Sequence, residues 1–117
     1  MNNISFVLKR NKSIQWQNTQ RGGIQEHKLL SSDESSYQNI VTIKAEAGAT
    51  VEMHKITTSE SIYVLSGSVE VISPDSNIQV LETGDFCHFH PCTTHGLRVT
   101  KEPTYMLVIF APPQNNK

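Results

Sequence analysis

The strongest constraint on the fold is a succession of short apolar, β-branched runs, each cut off by Gly, Pro, Asn or Asp. Residues 40–44, 61–65, 69–72, 78–82, 86–90, 97–100 and 105–110 are such runs, and each is about the length of one strand. Residues 69–72 and 78–82 both alternate apolar with polar and flank Pro74-Asp75-Ser76-Asn77, which has turn chemistry, so they are expected to form a hairpin. No segment keeps apolar residues at helical spacing for three turns. The expectation is therefore an all-β chain, a sandwich or a barrel. The first 35 residues are less regular. Residues 4–8 and 13–16 read as strands, Gly22-Gly23 as a break, 24–30 as a strand or a short helix, and 31–36 as a polar loop. Residues 112–117 read as a loose tail.

With 117 residues, the chain is expected to form one domain over 1–117 with one real core. Ten basic residues against eleven acidic ones leave a net charge of −1, and no basic run exceeds Lys9-Arg10, so a nucleic-acid partner is not expected. No apolar run approaches the roughly 20 residues that span a bilayer, and the first ten residues lack the pattern of a secretory signal. A soluble, cytoplasmic protein follows as the expectation. There Cys87 and Cys92 are free thiols, since two cysteines make no disulfide framework. Cys87 reads as a small core residue and Cys92 as a loop thiol.

Residues 87–95 concentrate metal-binding groups, Cys87, His88, His90, Cys92 and His95. If 86–90 is extended, Phe86, His88 and His90 point to one side and Cys87 and Phe89 to the other, so the five cannot converge on one ion. A single Cys-x4-Cys without a second pair is also not a zinc knuckle. The stretch more simply supplies one or two groups to a site completed from elsewhere. Upstream, His54 and Glu60 meet if a strand carries the imidazole and the carboxylate stands past a bend at the start of the next. With His95 they make two imidazoles and one carboxylate, a set that suits a divalent first-row metal and leaves positions open for water or substrate.

These residues resemble the cupin superfamily. Its first motif, G-x5-H-x-H-x3–4-E-x6-G, is matched in spacing by Gly48, His54, Ile56, Glu60 and Gly67, with isoleucine at the second histidine. Its second motif, G-x5-P-x-G-x2-H-x3-N, is matched in spacing by Gly84, His90, Cys92, His95 and Val99. Here only the first glycine and the histidine are retained, and the proline is displaced to Pro91. The two motifs occupy 48–67 and 84–99. The resemblance implies an antiparallel double-stranded β-helix of jelly-roll type. It also implies one interior ion of iron, manganese, nickel, zinc or copper, with His54, Glu60 and His95 as ligands.

Ile56 lies two residues beyond His54 and should share its face, which leaves three outcomes open. Three ligands hold the ion, His88 or His90 replaces the lost imidazole, or the metal is gone and an apolar pocket remains. Ile56, Tyr63, His88 and His90 are the candidate pocket residues, the latter three as acid or base if they face the cavity. The function implied is a metal-binding barrel with a small-molecule pocket, of dioxygenase, isomerase or lyase type. Its rival is a barrel that binds a sugar-like ligand without metal or turnover. A homodimer using the strands of residues 1–35 is the third expectation.

Overall fold

The computed structural model describes residues 5–113. Ten strands run in order: β1 (Gln17–Asn18), β2 (Ile24–Leu30), β3 (Asn39–Ala45), β4 (Thr50–Lys55), β5 (Ser59–Ser66), β6 (Ser68–Ile72), β7 (Ile78–Glu82), β8 (Phe86–Phe89), β9 (Thr94–Arg98) and β10 (Thr104–Ala111). They form two sheets, ordered β1-β2-β3-β10-β5-β8 and β4-β9-β6-β7, with every pairing antiparallel. From β3 onward the chain passes repeatedly from one sheet to the other, the winding of a jelly roll. Among the described residues the only helical turn is the three-residue Asn11–Ser13. No helix of these residues is long and apolar enough to cross a membrane.

Period-two patterning becomes burial directly. In β5, Glu60, Ile62 and Val64 are buried while Tyr63 and Leu65 are exposed. Opposite them, Val69, Val71 and Leu81 from β6 and β7 join Met106 and Val108 of β10 in one core. Full burial of a side chain such as Ile62, 0% exposed, stabilises by roughly 1.5–3 kcal/mol. The expected hairpin is β6–β7, in register from Ser68↔Glu82 to Ile72↔Ile78. Its turn is held by Ser73 N–H on Asn77 O and Asn77 N–H on Asp75 Oδ1.

Two expectations are corrected, and the open alternative at 24–30 is decided. Residues 5–8 and 13–16 are not strands, and Ile4 lies outside the described residues; neither segment pairs with a strand among the described residues. Phe6 and Leu8 stand 72% and 59% exposed, and the segment is tied down instead by Lys9 Nζ, which donates to Leu29 O and Glu34 Oε1. Residues 24–30 are wholly strand, because β3 offers a full antiparallel edge. The run seen at 97–100 begins three residues earlier, at Thr94, so His95 sits inside β9 and not ahead of it. Trp16 packs edge-on against His27 and Tyr105, with Lys44 Nζ 5.9 Å from its ring, and Tyr37 is exposed.

Candidate metal centre

Strands β4 and β9 are neighbours, and their register sets His54 directly opposite His95. Cross-strand partners on one face lie close enough for side-chain contact, and the two rings stand 4.9 Å apart at 53°. A register shift between Val51 and His54 explains how both reach the cavity wall although they are three positions apart: one extra residue bulges out and restores the phase. Gly96 lies against this bulge. A Cβ there would stand 3.0 Å from Met53 Sδ and 3.1 Å from Val51 O. Glu60 comes from β5 in the other sheet, so the site bridges the two layers.

One donor atom each from His54, Glu60 and His95 lies within 4.8 Å of the other two. His54 Nδ1 is 2.9 Å from Glu52 O. A carbonyl only accepts, so Nδ1 carries the proton and Nε2 is left with its lone pair. His95, 1% exposed, is stacked on Phe89 with ring centroids 3.8 Å apart and planes at 3°. Neither of its ring nitrogens has a hydrogen-bond partner. Its Nε2 is 3.6 Å from Glu60 Oε1, too long for a hydrogen bond. A buried polar atom left without a partner costs about 1–3 kcal/mol, and an ion between these donors removes that cost. Two imidazoles and a carboxylate facing one another on one cavity wall fit a divalent first-row ion.

The electrostatics agree. Burial pushes the Glu60 carboxyl up to about 7, opposed by the positive charge of Arg21. Burial, with His54 beside it, pulls His95 down to about 4. At neutral pH His95 is therefore an uncharged lone-pair donor, and its approach to Glu60 is not an ion pair. Burial and the neighbouring Glu60 raise the Cys87 thiol to about 11, which leaves it unreactive.

The three donors share the wall of a cavity of about 900 Å³ between the sheets. Val41, Val51, Leu97 and Met106 give it an apolar side, and Arg21 and Lys28 bring charge to it. That combination is typical of small-molecule sites. The four expected pocket residues are not on this wall. Tyr63 is 41% exposed, and His88 and His90 are exposed. Because Glu60 faces inward, Ser61 and Tyr63 face outward, and the register pairs them with His88 and Phe86. His88 Nδ1 meets Ser61 Oγ at 2.7 Å on that outer face. His90 follows the strand in a turn, its ring 5.1 Å from that of His88. Neither replaces the imidazole missing at Ile56. Ile56 is 1% exposed and its backbone continues the β4–β9 ladder through Thr93 and Cys92, but its side chain is packed away from the cavity. Cys92, at the motif's inner glycine, has φ of 71°, the conformation a glycine would adopt without strain.

Phe89, Gly96 and Arg21 were not singled out by the sequence. A glycine inside an apolar run is a signal of close backbone approach and would have marked Gly96. Phe89 shares the face of Cys87, which reads as a core residue, and strand alternation from Cys87 would have marked it. Arg21 beside Gly22-Gly23 carries no signal of its own.

The sequence matches the family described as Cupin domain over residues 39–110. No curated protein matches the chain. Among solved structures it is similar to the polyketide cyclase RemF from Streptomyces resistomycificus, at 15% identity and TM-score 0.83, covering 94% of this chain and 83% of that one. It is similar to KdgF from Halomonas sp., at 22% identity and TM-score 0.83, covering 95% and 97%. An RmlC-like cupin from Shewanella frigidimarina is 24% identical with TM-score 0.78, covering 92% of each chain.

Proposed function

The chain belongs to the cupin family, and from that premise we propose that it is a metal-dependent enzyme acting on a small molecule held in the cavity. His54, Glu60 and His95 are the ligands of one divalent ion of iron, manganese, nickel, zinc or copper. The observation that carries this reading is His95, a buried imidazole with both nitrogens unpartnered, facing a second imidazole and a carboxylate. When bound, such an ion supplies Lewis acidity to a substrate oxygen or to water. The chain's own contributions are distinct. His54 offers Nε2 because Glu52 O holds its other nitrogen, and Phe89 fixes the plane of His95. Glu26 and Asp33 are the other carboxylates on the wall among the described residues, and they are the groups placed to accept a proton. Those bases favour isomerase or lyase chemistry over a dioxygenase, and the likeness to a polyketide cyclase supports an activity on a small organic molecule. Cys87 and Cys92 are free thiols, which supports a reducing compartment, the cytoplasm.

The direct test is calorimetric titration of the metal-free protein with Zn²⁺ or Mn²⁺ across pH, in buffers of different ionisation enthalpy. The ion must displace the proton that Glu60 holds up to about pH 7. Glu60 therefore makes affinity fall about tenfold per pH unit below 7 and has no effect well above it. His95, neutral down to about pH 4, adds no competition in that range. Glu60's share of the released protons is near one at pH 6 and near zero at pH 8. Failure to take up one ion per chain anywhere between pH 5 and 9 sinks the reading. That result would favour the second reading, a binding barrel without metal, which the apolar side of the cavity formed by Val41, Val51, Leu97 and Met106 supports.

The reading includes a homodimer. The support is the N-terminal segment, where Phe6 and Leu8 are left open to solvent on a stretch without a strand partner. Sedimentation equilibrium is expected to give a dimer, and Phe6→Ser with Leu8→Ser to give a monomer. A wild-type chain that sediments as a monomer at high concentration overturns it.

A further inference from the structure

Three cations stand on the cavity wall: Arg21, Lys28 and Arg98. Arg98 is committed, because its Nε donates to Glu70 Oε1 at 2.7 Å and its Nη2 also pairs with that oxygen. Arg21 is not. Its guanidinium makes no hydrogen bond or ion pair with any described residue, so all its donors are free. Its backbone, by contrast, is anchored. The Arg21 N–H donates to Thr19 Oγ1 at 3.1 Å, and its carbonyl accepts from Ile24 N–H at 3.3 Å, in the turn that Gly22-Gly23 makes between β1 and β2. The residue is thus held at the edge of the same cavity as the metal-binding trio. Lys28 on the same wall is also unpaired, but its ammonium is a point charge without a planar fork of donors. Glu26 and Asp33 on the wall offset part of the positive charge.

From this arrangement we infer that the cavity takes a small organic anion, with a carboxylate at one end held by the Arg21 guanidinium and its other end at the His54–Glu60–His95 centre. The inference rests on the metal-centre reading above and adds the substrate class to it. A guanidinium offers a planar fork of donors that matches a carboxylate in two parallel hydrogen bonds, which a lysine ammonium cannot reproduce. The apolar band of Val41, Val51 and Leu97 suits a compact hydrocarbon body between the two polar ends. Arg21 on this view is a specificity-determining residue and not a catalytic one.

The test uses the full chain loaded with Ni²⁺ at pH 8, with metal content measured first. The probes are the α-hydroxy diacids malate, α-hydroxyglutarate and α-hydroxyadipate. Each is compared with the monoacid in which a methyl group replaces the distal carboxylate, so that only the charge at the far end changes. At least one diacid is expected to bind about tenfold or more tightly than its monoacid, with the preference shrinking as salt rises. Arg21→Gln abolishes the preference while metal content and monoacid affinity stay as in the wild type. Arg21→Lys keeps part of it, and Lys28→Gln keeps all of it. The inference is overturned if no diacid is preferred, if the preference survives Arg21→Gln, or if Lys28→Gln removes it. A chain that loads no metal sinks the centre and this inference together. A chain that loads metal but shows no diacid preference sinks this inference alone.

Discussion

Replacing His95 by leucine is expected to abolish metal uptake and, in the same protein, to raise the stability of the metal-free form. Both effects come from the two buried ring nitrogens, which have no hydrogen-bond partner among the described residues. Removing a direct ligand costs more than the 10–100-fold in affinity that outer-shell changes cost, so the loss should exceed about 100-fold. Leucine fills much of the same space against Phe89 and has no polar atoms to desolvate. Relief of the orphaned nitrogens should then add about 1–3 kcal/mol to the stability of the apo form. Glu60→Gln keeps the shape and removes the charge, and it should lose metal to a similar degree. Metal content by elemental analysis and urea unfolding of the apo variants measure the two effects. A core histidine with a purely structural role behaves otherwise: its leucine variant would keep any bound metal, or would unfold as easily as a core truncation.

The second large effect concerns the point where the chain leaves one sheet for the other. Gly67 joins β5 to β6 at φ of 98°, and a Cβ there would stand 2.5 Å from Thr104 Oγ1 and 2.8 Å from Pro103 O. Thr104 cannot retreat cheaply. Its hydroxyl accepts from Ser68 N–H at 3.1 Å and donates to Ser68 O at 2.8 Å, stitching β10 to the start of β6. Gly67→Ala combines the left-handed penalty of about 1–2 kcal/mol with a backbone clash and the loss of those hydrogen bonds, so about 3 kcal/mol or more should be lost. Gly84→Ala is the control. Its φ is 90°, but nothing lies within 4 Å of the added methyl, so only the conformational penalty applies. Urea midpoints of the two variants measure the difference. Equal losses would show that the approach of Thr104 has no energetic weight. Because β5 carries Glu60, Gly67→Ala should also weaken metal binding.

Much of the fold and part of the site were readable before any coordinates. The runs at 40–44, 61–65, 69–72, 78–82 and 105–110 became strands, since alternation and turn residues act locally and suffice to mark them. The motif spacing singled out His54, Glu60 and His95, and the fold brings those three together. The same local reading was misled at 5–8, where apolar residues found no strand to pair with among the described residues. It was also open about which face of 86–90 turns inward, and so could not place Tyr63, His88 and His90.

By itself, then, the sequence determined that the chain is a series of short strands cut by turn residues and which three side chains could serve one ion, because both depend on residue type and on distance along the chain. Only the tertiary structure decided which side of each strand meets the core. That choice follows from register between strands far apart in the chain, and one residue of slip reverses it. The β4 bulge that turns His54 inward, the Gly96 contact that leaves room for it, the Phe89 ring that holds His95 and the Arg21 charge at the cavity edge all arise the same way. Each is a relation between segments that come into contact only when the two sheets close on each other.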